Sequence, residues 1–270
     1  KSGQVKALIV TGCLAQRYRQ EILDEIPEVD EVLGTTAYDK ILDAVDRALE
    51  GEQGIILSDL NALPVSGAKR LVTTGGHFAY LKIAEGCDKH CTYCMIKEAK
   101  ELAEQGVKEL ILVAQETTLY GKDLYGEKCL HRLVEELCKI AGIRWIRILY
   151  CYPEEITDEL IEVIKKEPKV CHYLDLPIQH ASDSILKRMG RRTSKQELTD
   201  IVKKLRKEIP DICLRTTLIT GFPGETEDQH EELMQFVDEM EFDRLGVFTY
   251  SPEEDTPAAV MPDQIAEEVK

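Results

Sequence analysis

The chain is short of positive charge. Of its 270 residues, 34 are Lys or Arg against 50 Asp or Glu, a formal charge of −16. Phosphate backbones are held by clustered Lys and Arg, so nucleic acid is not an expected partner of this stretch. An acidic surface suits a basic protein instead. The sequence also lacks any apolar run approaching the roughly 18 residues of a membrane span, and its first residues lack the charged-then-apolar layout of a signal peptide. Nine cysteines form no regular disulfide framework, and their odd number fits a reducing compartment. Together these absences predict a soluble cytoplasmic protein without a membrane partner. An apolar content of 43% supports a normal core, and the length suits one large domain, alone or with a partial second.

Against that background the cysteines Cys87, Cys91 and Cys94 stand out, spaced CxxxCxxC. A loop this short can fold three thiolates onto one face of a cubane iron-sulfur cluster, but it supplies no fourth ligand. One iron is left open for chemistry, whereas electron carriers close all four positions with cysteine. Zinc is the rival reading, because Cys-rich loops bind it and His90 could complete a Cys3His set. Structural zinc sites, however, come as paired CxxC knuckles, and the sequence has no second knuckle. Cys13 follows an apolar run in a glycine turn, where its sulfur could meet a ligand. Cys129, Cys138, Cys151, Cys171 and Cys213 read as small buried hydrophobes.

The hydrophobic pattern gives the organisation. Near the start, a strand is expected at 5–10, a helix at 16–26, a short strand at 31–34 and a helix at 38–49 with Gly51 in the stop position. From Gly51 to Gly76 no period persists, and the domain boundaries read as 1–63 for an α/β half-unit, 64–78 for a linker and 79–270 for the main domain. The half-unit begins abruptly on a strand, which suggests that the chain starts inside a domain. Beyond it, strands are expected at 79–84, 109–114, 145–150, 173–177, 214–220 and 244–250. Helices are expected between them at 97–105, 130–141, 157–166, 182–189, 194–208 and 226–240. Repeated βα units with nearly continuous apolar strands mean a parallel sheet covered by helices. Six strands are too few to close the eight-stranded barrel, so an open partial (βα)6 barrel is the natural geometry, with its chemistry at the strand C-termini.

The polar motifs fall on that rim. Cys87 follows the first barrel strand, Gln115 and Glu116 end the second, Gln179 and His180 end the fourth, and the fifth runs through Arg215 into 221–225. Gln179 could hydrogen-bond the ribose or amino-acid moiety of a cofactor. Arg215 in an apolar strand is costly unless an anion such as a carboxylate pairs with it. Gly221 allows a ligand to approach the backbone, although a plain turn is as good a reading. Tyr93 could stack near an adenine or simply pack. His180 reads as a hydrogen-bonded structural histidine, and Arg191 and Arg192 as cations at a helix C-terminus.

These residues carry a resemblance. The runs 87–94, 114–121, 175–183 and 215–226 together resemble the radical S-adenosylmethionine (SAM) methylthiotransferases, and 12–17 is similar to the last cysteine motif of that family's N-terminal domain. The likeness covers nearly the whole chain. At 114–121, 175–183 and 243–254 the wording is most similar to the branch acting on an aspartate of a small-subunit ribosomal protein, with the tRNA-modifying branch as the neighbouring alternative and a zinc-stabilised binding module as the alternative of another class. The resemblance implies the radical SAM partial barrel preceded by part of the methylthiotransferase domain. It implies two 4Fe-4S clusters, one held by Cys87, Cys91 and Cys94 and binding SAM, the other having Cys13 among its three ligands. The candidate cofactor-binding residues on the rim are Tyr93, Gln115, Gln179, Arg215 and Gly221. A deoxyadenosyl radical would take hydrogen from the aspartate β-carbon, the second cluster would deliver sulfur and a second SAM the methyl group, with outside electron and sulfur donors.

The chain departs from that family in several places. The other two ligands of the second cluster are not recognisable, a longer basic stretch that follows the third cysteine in the family is missing after Cys94, and the family's C-terminal TRAM β-barrel is expected to be absent.

Overall fold

The computed structural model describes residues 3–59, 71–84 and 92–270. Two compact units part between Leu71 and Val72.

In the first unit, β1 (Ile9–Thr11), β2 (Glu31–Leu33) and β3 (Gly54–Ile56) form a parallel sheet in sequential order. Helices α1 (Cys13–Tyr18), α2 (Gln20–Glu25) and α3 (Ile41–Glu50) link the strands. Adjacent residues of a strand face opposite ways. Thus Val32 packs with Ala15, Leu23 and Val29 on one face, and Leu33 with Ala37 and Ala44 on the other. Three expectations need correction here. The first strand is shorter than 5–10, since Val5 and Leu8 remain exposed. The helix expected at 16–26 starts earlier and breaks at Arg19, whose φ is 42°. Strand β3 lies in a stretch that showed no period, because three residues are too few to display one.

The second unit holds six parallel strands, β4 (Phe78–Lys82), β5 (Glu109–Val113), β6 (Trp145–Ile148), β7 (Val170–Gln179), β8 (Cys213–Thr220) and β9 (Arg244–Thr249), again in sequential order. Sequential order means that successive crossovers advance one strand at a time in one direction, which curls the sheet and keeps the helices on one face. That outer face carries Leu81, Leu112, Ile148, Leu174 and Leu214, all but absent from solvent. They pack into one cluster with Leu102, Leu133, Ile164, Leu205 and Phe236 from the helices. The covering helices include α4 (Thr92–Glu104), α6 (Leu130–Cys138), α7 (Asp158–Lys166), α9 (Lys195–Glu208) and α10 (Glu227–Met240), with the short α5 (Lys122–Tyr125) and α8 (Asp183–Arg188) between them. Ser194 with Glu197, and Thr226 with Gln229, form reciprocal caps that fix where α9 and α10 begin.

Burial alternates residue by residue along β5 and β8, so Glu109, Ile111 and Val113, and likewise Arg215, Thr217 and Ile219, belong to the inner face. The register aligns Tyr173 and Asp175 with Cys213 and Arg215, which puts them on that same face. Helix α4 starts five residues ahead of the expected 97, so Tyr93 and Cys94 lie in its first turn rather than in a loop. Helix α5 was not expected at all.

Candidate active site at the strand ends

Cys87, His90 and Cys91 lie outside the described residues, and the description of Tyr93 and Cys94 stops at their backbone. The remaining rim is built from the ends of β5 to β9.

Just past the end of β5 the Glu116 side chain is largely buried, while Gln115 is exposed. Glu116 Oε1 accepts hydrogen bonds from the Thr118 amide at 2.9 Å, the Thr118 hydroxyl and the Tyr152 amide at 3.3 Å. Its Oε2 is buried without a partner. Burial pushes the carboxyl up, and the hydrogen bonds from Thr118 and Tyr152 only partly offset that. Thr117 stitches the neighbouring strand end, donating its amide to Tyr150 O at 3.0 Å and its hydroxyl to Leu149 O at 2.5 Å.

Past β6, Tyr150 adopts a left-handed backbone with φ 57°, and its amide faces Asp175 Oδ2 at 3.4 Å. The other Asp175 oxygen accepts from Arg215 Nη1 at 2.5 Å, and Thr217 Oγ1 accepts from the same nitrogen at 3.2 Å. The carboxylate that Arg215 requires is therefore supplied by the adjacent strand. Beside it, Cys151 is fully buried, and burial first, then the Glu116 and Asp175 charges, push its thiol far up.

Strand β7 shifts register between Leu176 and Gln179, and Gln179 at its end has φ 71° with Oε1 buried and unpartnered. His180 is closed off from solvent: its Nδ1 accepts from the Ser182 amide at 2.9 Å, which leaves the ring proton on Nε2, 3.4 Å from Glu225 Oε1. At the end of β8, Gly221 has φ 71°, a conformation glycine adopts without strain. Its amide donates to Glu225 Oε2 at 2.6 Å, and that of Phe222 at 3.1 Å. The backbone donors of this turn are thus occupied from within. Burial alone would push the Glu225 carboxyl up, but the His180 and His230 rings and the Phe222 amide hold it below its ordinary value.

Three consecutive strand ends, at Tyr150, Gln179 and Gly221, therefore carry left-handed backbone around one mouth. For non-glycine residues this conformation costs on the order of 1–3 kcal/mol and persists where the surroundings over-determine it. Orphaned polar atoms on Glu116 and Gln179 lie at the same rim. Such atoms fit a bound polar ligand, which would satisfy what the protein leaves open. Sequence reasoning noted Glu116 only as part of a strand end, and it read Arg191 as a cation at a helix end, where its guanidinium also lies over the Tyr152 ring at 4.5 Å. In the first unit Cys13 is exposed at the start of α1, directly after β1, with Gly12 at φ 114°. Among the described residues no group of three metal-binding side chains stands together. No described helix is long and apolar enough to cross a membrane.

A curled, sequentially ordered parallel sheet with its polar constellation at the strand C-termini is the architecture of radical SAM catalysts, and a Radical SAM superfamily model matches residues 81–237. The chain belongs to that superfamily. Along its whole length it is 63% identical to the ribosomal protein uS12 methylthiotransferase RimO of Lachnoclostridium phytofermentans and 51% identical to the protein of the same name in Clostridium botulinum. It spans 65% and 64% of the length of these relatives. Each alignment runs over 286 positions, more than the 270 residues of the chain, so the relatives carry residues that this chain lacks. Among solved structures, the cobalamin-dependent SAM radical enzyme OxsB superposes with a TM-score of 0.55 at 11% identity, covering 85% of this chain and 38% of OxsB. The radical SAM methyltransferase TsrM of Kitasatospora setae gives 0.51 at 15% identity, covering 64% and 33%. At such identities the likeness concerns the fold.

Proposed function

We propose that this chain is part of a methylthiotransferase that adds a methylthio group to the β-carbon of an aspartate in a small-subunit ribosomal protein. Identity of 63% along the whole chain to a uS12 methylthiotransferase carries this reading. The formal charge of −16 supports it, since a basic ribosomal protein is the complementary partner. In this reading residues 1–63 are the later part of the methylthiotransferase domain, 64–78 the linker and 79–270 the radical SAM domain. Cys87, Cys91 and Cys94 hold the SAM cluster, and Cys13 is one of three ligands to a second 4Fe-4S cluster. When bound, the clusters and SAM supply the hydrogen abstraction, the sulfur and the methyl group. The chain's own residues orient and seclude. Gln179 offers its open Oε1 to SAM, with Tyr93, Gln115, Arg215 and Gly221 around it. Arg215 acts from its pair with Asp175, which holds the guanidinium in place. Electrons and replacement sulfur come from outside donors in the cytoplasm.

The test is mass analysis of ribosomal protein uS12 and of tRNA, each incubated with anaerobically reconstituted protein, SAM, a reductant and sulfide. A methylthio gain on an aspartate of uS12, with tRNA unchanged, is expected. Gain on tRNA alone would move the protein to the tRNA-modifying branch, and stoichiometric zinc in place of iron and sulfide would end the catalytic reading.

A further inference from the structure

Strand β9 is the last of its sheet, and among the described residues its far edge pairs with nothing. Its register with β8 runs unbroken from Arg244 to Thr249, without a bulge. Leu245 and Val247 align with Thr216 and Leu218, which are buried on the helix-covered face, yet they are 43% and 53% exposed themselves. On the inner face Phe248, aligned with Ile219, is 60% exposed. The order of elements explains this. Each earlier strand of the unit is followed by an α-helix, whereas among the described residues β9 leads only into the short 3-10 turn Pro257–Val260. That turn sets Ala258 against the cluster of Phe222 and Tyr250, so it leaves the flank of β9 open.

A long, regular and apolar edge is a template for another strand, and proteins ordinarily blunt such edges with lysine, proline or a bulge. Strand β9 has none of the three. What surrounds it is negative charge. Residues 227–270 hold 14 Asp or Glu against two Lys or Arg, so this stretch carries most of the formal charge of −16. Glu239, Glu241 and Asp243 precede the strand and Glu253, Glu254 and Asp255 follow it, all of them exposed. Two copies of the chain set edge to edge would bring these carboxylates together, and like charges facing each other suppress such a pairing. A cationic segment meets the opposite field.

We propose that β9 takes up an extended segment of the ribosomal protein, rich in Lys and Arg, as an added strand. The main chain of the segment pairs with the open edge, its apolar side chains rest on Leu245, Val247 and Phe248, and its cations meet the acidic residues before and after the strand. This rests on the methylthiotransferase reading and extends it: the target aspartate enters the barrel mouth while a separate part of the same protein is held at the flank of the sheet.

The experiment uses the full-length reconstituted enzyme as wild type, Val247→Lys and Val247→Ile, matched in iron content and circular dichroism. Methylthiolation is followed on whole uS12 and on a short uS12 peptide that carries the target aspartate but no basic segment. Val247→Lys should raise the KM for whole uS12 about 10-fold, the size of losing one interface anchor, with kcat retained. Its SAM cleavage without uS12 and its use of the short peptide should match wild type, and Val247→Ile should behave as wild type throughout. Hydrogen exchange of the wild-type amides at 244–249 should slow when whole uS12 is added. An unchanged KM for whole uS12 in Val247→Lys overturns the proposal, as does an equal loss with the short peptide, which would put Val247 at the reaction site. Exchange at 244–249 that is already slow without uS12 overturns it in favour of another segment of the enzyme, and a dimer abolished by Val247→Lys overturns it in favour of a second copy. Wild type that leaves uS12 unmodified overturns the methylthiotransferase reading along with the proposal, whereas equal modification by wild type and Val247→Lys overturns the proposal alone.

Discussion

Glu225 Oε2 accepts the amide of Gly221 at 2.6 Å, so the turn after β8 is bound to a carboxylate only four residues further along the chain. The same side chain, 3% exposed, faces the buried His180 ring through its other oxygen. Glu225 thereby joins the ends of β7 and β8.

Replacing Glu225 with Gln keeps the shape but turns an amide NH2 toward groups that themselves donate. A loss of about 3 kcal/mol in urea-unfolding stability is expected, the size of losing hydrogen bonds to a buried charge. Because the folded Glu225 carboxyl lies below its ordinary value, it contributes stability above the ordinary carboxylate range, and that contribution is lost as pH falls through the folded value. Wild type should therefore lose more stability on acidification than Glu225→Gln, and parallel pH profiles of the two proteins would refute the assignment.

Gly221→Ala should destabilise by about 1–2 kcal/mol, the cost of a left-handed backbone for a residue with a side chain. A Cβ there would also come within 2.4 Å of Lys270 Cγ, so the Lys270 side chain, which donates to Tyr250 O at 2.9 Å, must shift. Thermal unfolding measures the first effect. The double variant with Lys270→Ala measures the second, and should recover part of the loss but not the backbone share.

The thiols of the apoprotein should separate by reactivity. Burial, with Glu167 beside it, pushes Cys138 up to about 12, and Cys151 is fully buried with its thiol also raised. Cys13 is exposed. Short iodoacetamide treatment near neutral pH, followed by peptide mass analysis, should label Cys13 well ahead of Cys138 and Cys151, because the thiolate is the reactive form. Equal labelling of all three would contradict the burial of Cys138 at the end of α6 and of Cys151 beyond β6.

Cys91→Ala should abolish SAM cleavage and lower bound iron, since three thiolates are the smallest hold on a cubane with one open iron. Iron and sulfide assays beside deoxyadenosine formation give the readout. Full SAM cleavage by the variant would remove Cys91 from the ligand set.

The strands of the second unit are readable because burial on one face and a half-open inner face leave a period of two along β5 and β8. Helices α9 and α10 are readable because Ser194 and Thr226 announce them. Two kinds of information escape such patterns. The burial of Glu116 against the Tyr152 amide depends on the segment that follows β6, which no period along β5 encodes. The reach of Arg191 to Pro177 and Tyr152 joins a helix end to two strand ends, and no local spacing encodes that. The pairing of Arg215 with Asp175 is a cross-strand relation of the same kind, although the need for an anion follows from an arginine in an apolar strand.

The sequential order of the six strands also bears on how the protein is made. As the chain leaves the ribosome, each new strand finds its partner already in place: β5 docks on β4, β6 on β5, and so on to β9. No strand waits for one not yet synthesised. Apart from the outer edge of β4, only the growing edge of this sheet is unpaired at any moment, which limits the backbone on which nascent chains aggregate. A circular permutant opened between α6 and β6 would emit β6 to β9 before β4 and β5, leaving the β6 edge waiting for its partner. It should give a lower soluble yield from the same final fold.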